Sequence, residues 1–216
     1  MVSMFCWTTF DVGGMLPLGW QDDVRAVAAA AEFKYFPPTP VISREGTDTD
    51  HIHRGRVHAD QVAHGLPWLR EFYRSSFRQL AESVVGEPVA PARDERYGVV
   101  LNVQRGRSMR FECHVDSNPL SGLLFCSDHG PGAGGELAIA NNCDAASVAE
   151  VDRSCTELRS HTGHLVFFDG RQHPHYVRSL TSTLDIRIVA VMNYYTRSAP
   201  ESTRPHELNR HLYGAR

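Results

Sequence analysis

The chain lacks most of the features that mark secreted, membrane or nucleic-acid-binding proteins. Its 216 residues include five cysteines, an odd number without a CxxC pair, which argues against a disulfide framework and a structural zinc site. No apolar run approaches the roughly 20 residues of a membrane span, and the first 20 residues do not resemble a signal peptide. The net charge of −3 gives no reason to expect a nucleic-acid partner. We therefore expect a soluble, cytoplasmic protein in a reducing compartment, without a nucleic-acid or membrane partner and with its oligomeric state left open.

The distribution of apolar residues predicts a single domain, residues 1–216, in two parts. With 42% hydrophobic residues the chain can bury one core. The N-terminal part, about residues 1–90, is predicted to be helical, with helices over Gln21–Phe33 and from about Asp60 to Val85. Apolar side chains recur there at three- and four-residue spacing. Between the helices, the polar segment Val41–His58 is predicted to be a mobile loop that covers a binding site.

The second part, from about residue 95 to 196, consists of short β-type segments. Turns separate these segments and no helices intervene, a pattern typical of a β-sandwich or a jelly roll. We therefore predict a mainly β fold with flanking helices. Its core would be a double-stranded β-helix, or jelly roll, preceded by the N-terminal helical region.

The sequence His114-Val115-Asp116 stands at the end of one predicted strand. Because alternate side chains of a strand share a face, the imidazole and the carboxylate would point the same way. The pattern alone is weak, since 12 His and 13 Asp give about 0.7 such pairs by chance, and His58-Ala59-Asp60 is another. Asp60, however, is well placed as the N-cap of the second predicted helix, which explains that pair without a metal.

A further histidine ligand could come from His173 or His175. We favour His175, because it opens a predicted strand in which it would turn inward together with Val177. His173 precedes Pro174 in a turn, where it would meet solvent or substrate. Two imidazoles and one carboxylate on one face of a metal leave the opposite face open, as in non-haem Fe(II) oxygenases.

Arg187 is a charged residue inside an otherwise apolar late strand. An arginine in such a strand is rarely buried unless it is paired. Its partner could be a nearby acid such as Asp185 or Asp169. If the metal site exists, a better partner is the far carboxylate of a 2-oxo acid, held by a two-pronged salt bridge.

In order and spacing, these segments resemble the iron(II)/2-oxoglutarate-dependent oxygenases, particularly the prolyl-hydroxylase-like branch. The resemblance covers about the last 120 residues. It rests on Tyr97–Asp116, Gly134-Gly135-Glu136-Leu137, Gly163–Gly170, His175-Tyr176-Val177 and Arg187. It implies that His114, Asp116 and His175 bind Fe(II), that Arg187 binds the co-substrate 2-oxoglutarate, and that O2 is the oxidant.

The same resemblance implies a reaction class. Some small members act on free amino acids or related metabolites in bacterial secondary metabolism. The radical halogenases replace the aspartate by a small residue, whereas this chain keeps Asp116. We therefore expect hydroxylation of an unactivated C–H bond of a small metabolite.

Four further polar residues are candidates for contacts around the centre. Asn102, on the strand before the one that carries His114, could hydrogen-bond the co-substrate or a ligand carboxylate. Asn118, Arg110 and His173 are weaker candidates for substrate binding.

Three alternatives stay open. The same iron site could carry out a desaturation or cyclisation instead of a hydroxylation. The fold could belong to a cupin-like metal-binding protein that is not an oxygenase, but such a protein has no need of Arg187. A zinc hydrolase would require a general base near the metal-bound water, and the ligand motifs contain no glutamate for that role.

Overall fold

Two antiparallel sheets form the centre of the computed structural model, which describes residues 6–39, 41–45 and 52–208. Within these residues the strands are β1 (Trp7–Asp11), β2 (Glu32–Phe36), β3 (Ile52–Val57), β4 (Val89–Pro91), β5 (Val99–Arg105), β6 (Phe111–His114), β7 (Leu120–Phe125), β8 (Leu137–Ala140), β9 (Cys155–Leu158), β10 (His164–Phe168), β11 (His175–Val177) and β12 (Ile186–Thr196). The larger sheet has the order β1-β10-β7-β12-β5-β3-β2, with β4 also pairing β12, and the smaller has the order β6-β11-β8-β9.

Five helices accompany the sheets in the described part of the chain. They are α1 (Trp20–Ala28), α2 (Ala59–Gly65), α3 (Pro67–Arg74), α4 (Ser76–Val85) and α5 (Val148–Arg153). Three short 3-10 turns, Gly13–Met15, Glu95–Tyr97 and Glu201–Thr203, complete the described elements. None of the described helices is long and apolar enough to cross a membrane.

Each face of the larger sheet buries a separate apolar core. Ala190 and Met192 of β12 turn outward and pack with Leu69 and Phe77 of the helices. Val189 precedes Ala190, so its side chain points to the opposite face of the sheet. It turns inward into a second core to which both sheets contribute. The alternation of β12 therefore decides which of its side chains enter the space between the sheets.

The jelly-roll core with flanking helices is confirmed, but the N-terminal part is less helical than expected. It supplies β1 to the larger sheet at one edge and β2 and β3 at the other. The second predicted helix is three helices, because Pro67 begins α3 and Ser75 leaves helical backbone before α4. A proline is favoured at a first helical position and disfavoured within a helix, so Pro67 divides the helix while the apolar side chains on both sides of it remain buried.

The segment predicted to be a mobile loop is fixed in both of its described pieces. Residues 52–57 form β3, so the loop expectation is wrong there. Residues 41–45 lie along β6, where the Arg44 amide donates to the Cys113 carbonyl at 2.7 Å and the Val115 amide to the Ile42 carbonyl at 3.0 Å. Residues 46–51 lie outside the described residues. A lid role is therefore not supported for the described pieces of this segment.

Phe167 tests the core between the helices and the larger sheet. Its ring is fully buried and makes an edge contact with Phe10 at 6.1 Å between centroids. We expect Phe167→Ala to lower the free energy of unfolding by about 3–5 kcal/mol, because the cavity adds to the lost transfer energy. The exposed Leu184 is the control, and Leu184→Ala should change it by less than about 0.5 kcal/mol. Urea denaturation measures both, and equal effects would contradict this packing.

Candidate metal centre

His114, Asp116 and His175 converge at the edge of the smaller sheet. His114 ends β6 and His175 begins β11, and the two residues are paired in register. Their rings lie 4.6 Å apart between centroids. Each Nε2 is 3.6 Å from Oδ1 of Asp116. The three side chains thus offer donor atoms close enough to share one metal ion.

Backbone carbonyls fix the orientation of both imidazoles. Nδ1 of His114 donates to the Glu112 carbonyl at 2.7 Å, and Nδ1 of His175 donates to the His173 carbonyl at 2.9 Å. A carbonyl oxygen can only accept, so the proton of each neutral ring is on Nδ1. The lone pair of each Nε2 is left for a metal, which is the usual arrangement of histidine ligands.

Asp116 is oriented by a short chain of hydrogen bonds. Ser121 donates from Oγ to Oδ2 of Asp116 at 2.6 Å, and Nδ2 of Asn118 donates to Ser121 Oγ at 2.9 Å. Burial by itself raises the pKa of Asp116. Charge and hydrogen bonding from the His175 and His114 rings, which require a proton on Nε2 when no metal is bound, outweigh burial and lower that pKa below its usual range. Oδ1 of the carboxylate lies 3.6 Å from each Nε2, so a metal would replace those protons.

Gly170 leaves the space that this arrangement requires. Its carbonyl accepts the Asp116 amide at 3.0 Å. A methyl group at position 170 would lie 2.5 Å from Oδ2 of Asp116 and 2.7 Å from Cε1 of His175. The backbone of Gly170 thus closes one side of the site, and no larger residue fits there without moving two of the donors.

Between the sheets, a cavity of about 130 Å³ reaches His114 and Asp116. Asn102 and Asn193 of the larger sheet line its opposite wall. The donor set of two imidazoles and one carboxylate, with room beside it, fits Fe(II) held on one face with positions left for further ligands.

His173, the competing histidine, is placed elsewhere. Its ring is buried, and Nδ1 lies 2.9 Å from the Ala140 carbonyl. The Sγ of Cys143 is 3.8 Å from the same nitrogen. His173 is connected to the triad through its backbone carbonyl, which accepts from His175, while its imidazole is placed at Ala140 and Cys143. This arrangement does not support a metal contact by that imidazole.

The second histidine–aspartate pair has a structural explanation that differs from the expected one. Asp60 lies in the first turn of α2, while His58 occupies the N-cap position that the sequence assigned to Asp60. Gln61 completes a capping box by accepting from the His58 amide at 3.2 Å. The His58 ring contacts Glu32 at 3.3 Å, and His53 stacks on Tyr35 at 4.4 Å. His51 lies outside the described residues.

Arg187 is buried on the inner face of β12, at 2% exposure. None of the described residues accepts a hydrogen bond from its Nε, and no described carboxylate forms an ion pair with it. Burial lowers the pKa of Arg187 to about 10, an effect that the charge of Glu136 offsets only in part. Asp169, one of the two acids considered as its partner, pairs instead with Arg171. A buried cation without a neutralising contact is costly, so the position favours an anionic ligand.

Strand register relates Arg187 to the triad. Asn193 of β12 pairs with Ser121, the residue that holds Asp116. Arg187 is six residues earlier on the same face, and Val189 and Val191 lie between them on that face. Arg187 packs closely against Gly135, since a methyl group added at position 135 would lie 2.9 Å from Cδ of Arg187. The charged group and the triad therefore belong to the same space between the sheets.

The other predicted contact residues have different environments. Asn102 faces the cavity, and its Oδ1 has no hydrogen-bond partner among the described residues. Asn118 also borders the cavity, but its amide nitrogen is used by Ser121 and the Leu120 carbonyl. Arg110 is bound through both terminal nitrogens to Glu45, at 2.6 and 2.5 Å, so a substrate contact is not supported.

Two cavity residues were missed by sequence reasoning. Arg54 and Arg56 line the cavity that reaches the triad. They belong to β3, which lies in the segment predicted to be a polar loop. Their two-residue spacing in Ile52–Val57 is the signal that could have placed both guanidinium groups on one strand face.

Comparison with solved structures identifies the fold. AviO1 from Streptomyces viridochromogenes Tue57 is similar with a TM-score of 0.64 at 20% identity, over 94% of both chains. The epimerase SnoN, solved with Fe3+, alpha ketoglutarate and nogalamycin RO, gives 0.61 at 13% identity over 95% of this chain and 85% of its own. An oxidoreductase of the 2OG-Fe(II) oxygenase family from Burkholderia pseudomallei gives 0.59 at 14% identity, over 92% and 89%.

The fold is that of the iron(II)/2-oxoglutarate oxygenases. At these identities the likeness concerns the fold, and what this chain binds must be argued from its own residues. No family model matches the sequence, and no curated protein matches it.

Gly170 provides a test of the triad that leaves every donor in place. We expect Gly170→Ala to weaken the binding of Fe(II), or of Co(II) as a stable substitute, by about 10- to 100-fold, the range found when groups supporting metal ligands are lost. The matched control is Gly130→Ala, because a methyl group there meets nothing within 4 Å. Calorimetric titration of the metal measures both variants. Unchanged affinity in Gly170→Ala would contradict the proposed position of the ion.

Proposed function

We propose that the protein is an Fe(II)- and 2-oxoglutarate-dependent dioxygenase that hydroxylates an unactivated C–H bond of a small metabolite. The observation that carries the proposal is the pairing of two features in one inter-sheet space. One is the triad of His114, Asp116 and His175, and the other is the buried Arg187 without a described counterion. A metal site alone would not specify a co-substrate, whereas a buried cation on the adjoining strand face requires an anion.

The chemistry of each side chain indicates which of the two ligands it would bind. His114, Asp116 and His175 would hold Fe(II), and Arg187 would hold the distal carboxylate of 2-oxoglutarate. The bound iron and 2-oxoglutarate supply the dioxygen-dependent oxidation, so the protein needs no acid–base pair of its own for attack on a C–H bond.

The protein contributes position and exclusion of water. The Arg187 guanidinium lies 5.8 Å from the Phe125 ring centroid, in an apolar wall that includes Leu137 and Val189. Such a wall strengthens the attraction between the guanidinium and a carboxylate. Ser121 and the Gly170 backbone keep Asp116 oriented toward the imidazoles. The unsatisfied Oδ1 of Asn102 offers an acceptor to a bound molecule in the same cavity.

Hydroxylation is proposed over halogenation because Asp116 occupies the third donor position, which a halogenase leaves open. The structural neighbours include a SnoN epimerase and a SnoK carbocyclase from nogalamycin biosynthesis. The fold therefore accommodates several outcomes, and bacterial secondary metabolism is the setting that we propose. Product mass separates them: hydroxylation adds one oxygen, and desaturation or ring closure removes two hydrogens.

A zinc hydrolase is less well supported. It needs a general base beside the metal-bound water. Glu112 is the described glutamate that lines the cavity, and its carboxylate accepts from the amide and hydroxyl of Thr39 at 2.5 and 3.0 Å. This carboxylate is engaged in holding residue 39 against β6. A cupin-like binding protein would likewise leave the buried Arg187 unexplained.

Arg187 gives the direct test of the co-substrate. Anaerobic Fe(II) and 2-oxoglutarate should give the weak visible charge-transfer band of a chelated 2-oxo acid with the wild-type protein. In Arg187→Ala the 2-oxoglutarate affinity, read from that band, should fall at least about 30-fold, because truncating one partner of a buried charge pair costs about 2 kcal/mol or more. Arg25→Ala, on the exposed side of α1, is the control. The absence of a band in wild type, or undiminished affinity in Arg187→Ala, would defeat the proposal.

The choice between the two histidines is tested separately. We expect His175→Ala to abolish substrate-dependent succinate formation, as should His114→Ala and Asp116→Ala, because each removes a donor to the metal. His173→Ala should retain metal binding, since its imidazole contacts the Ala140 carbonyl instead. Metal content and succinate release are measured on the same preparations. An active His175→Ala with an inactive His173→Ala would reverse the assignment.

A further inference from the structure

The cavity beside the triad has a cationic wall of its own, to which Arg187 does not contribute. Arg54 and Arg56 line this space together with His114 and Asp116. Neither arginine belongs to the jelly-roll segments that carry the metal donors or the co-substrate residue. They line this cavity whereas Arg187 does not, so they are available to a second ligand besides the proposed co-substrate.

Strand parity directs these arginines inward. Arg56 pairs in register with Asn102, which pairs on its other side with the inward-facing Val189. Val57, the next residue, turns to the opposite face and is fully buried in the core beneath the helices. Gly55 also belongs to that opposite face, where a methyl group would lie 2.4 Å from the Phe33 ring. The two guanidinium groups thus share the face that borders the cavity.

The described acids that line the cavity are engaged with other groups. Glu112 accepts from Thr39 through both carboxylate oxygens. Asp116 accepts from Ser121 and contacts the two imidazoles. Arg56 forms no ion pair with any described residue, and its Nε is buried without a hydrogen-bond partner there. The Oδ1 atom of Asn102, on the neighbouring strand, is also buried without a hydrogen-bond partner among the described residues.

Arg54 reinforces the positive charge of this wall. It is 6% exposed and its guanidinium lies 4.3 Å from the centroid of the Phe36 ring. A planar guanidinium held over an aromatic ring has a restricted orientation, which lowers the entropic cost of its hydrogen bonds. With Arg56 two residues away, the wall presents two guanidinium groups to a ligand in the cavity.

We infer that this wall binds a carboxylate of the substrate, so that the oxidised molecule is a small carboxylic acid held between Arg56 and the metal centre. That the bound molecule is a substrate rests on the proposed function. The binding of a carboxylate at this site does not depend on iron. A guanidinium binds a carboxylate through two parallel hydrogen bonds, and the Asn102 oxygen can accept from a neighbouring donor of the same molecule. The substrate class follows from Arg56, because Arg110, the arginine that the sequence suggests for substrate binding, is bound to Glu45.

The test uses propionate and propionamide, which have nearly the same shape and differ in charge. Each is titrated into the metal-free protein, and the dissociation constant is obtained from ligand-observed NMR. We expect propionate to bind at least tenfold more tightly than propionamide. Arg56→Gln should weaken propionate binding at least fivefold, and Arg56→Lys, which keeps the charge, should recover part of the loss. Arg25→Gln, the same change on the exposed surface, should have no effect.

A parallel titration of Arg187→Gln separates the two anion sites. If propionate affinity falls in Arg187→Gln and not in Arg56→Gln, the anion occupies the co-substrate position and the inference is wrong. Equal binding of propionate and propionamide, or equal behaviour of Arg56→Gln and Arg25→Gln, would also overturn it. Circular dichroism confirms that the variants are folded. Because no metal is present, a missing charge-transfer band would defeat the proposed function and leave this result standing.

Discussion

The position of the partly buried Asp116 carboxylate between two imidazoles is the constraint on which the rest of the site depends. A buried carboxylate is unfavourable unless partners surround it. Its partners come from separate elements: His114 from β6, His175 from β11 and Ser121 from β7. The three donors come from neighbouring strands of the smaller sheet, whereas Ser121 belongs to the larger sheet, so the orientation of Asp116 depends on how the two sheets pack together. The site is therefore a product of the tertiary fold and not of the His114-Val115-Asp116 motif alone.

The inter-sheet space separates two charges of opposite sign. Asp116 lies at one end, beside Ser121, which pairs with Asn193 of β12. Arg187 is six residues before Asn193, and the apolar Val189 and Val191 lie between them on the same face. In this space the metal would compensate the carboxylate and a dianionic co-substrate would compensate the guanidinium. Ligands that bind only the folded state stabilise it, so the metal and the co-substrate would relieve the cost of two buried charges that the chain alone does not fully pair.

The fold and the triad could be predicted because their signals are local. Short β-type segments with turns indicated the jelly roll, and two-residue spacing placed His114 and Asp116 on one face. The strand β3 was predicted to be a polar loop because Arg54 and Arg56 stand where apolar residues are expected on its inward face, and only their two-residue spacing indicates a strand. The backbone of Gly170 also escaped notice. Its closeness to Asp116 depends on a contact between distant segments, which no pattern along the chain records.

Arg187 and the pair Arg54 and Arg56 lie on strands that differ in how closely they are packed. Arg187 lies on β12 in the centre of the larger sheet, where it is buried by neighbours on both sides. Arg54 and Arg56 lie on β3, next to the edge strand β2 and beside the pieces of chain that flank residues 46–51. A central strand is constrained by its packing on both faces, while a strand near the edge can exchange its inward residues at less cost to the core. A fold that keeps one oxidising centre can therefore change the molecule it recognises through β3, and the two arginines of this chain select an acid.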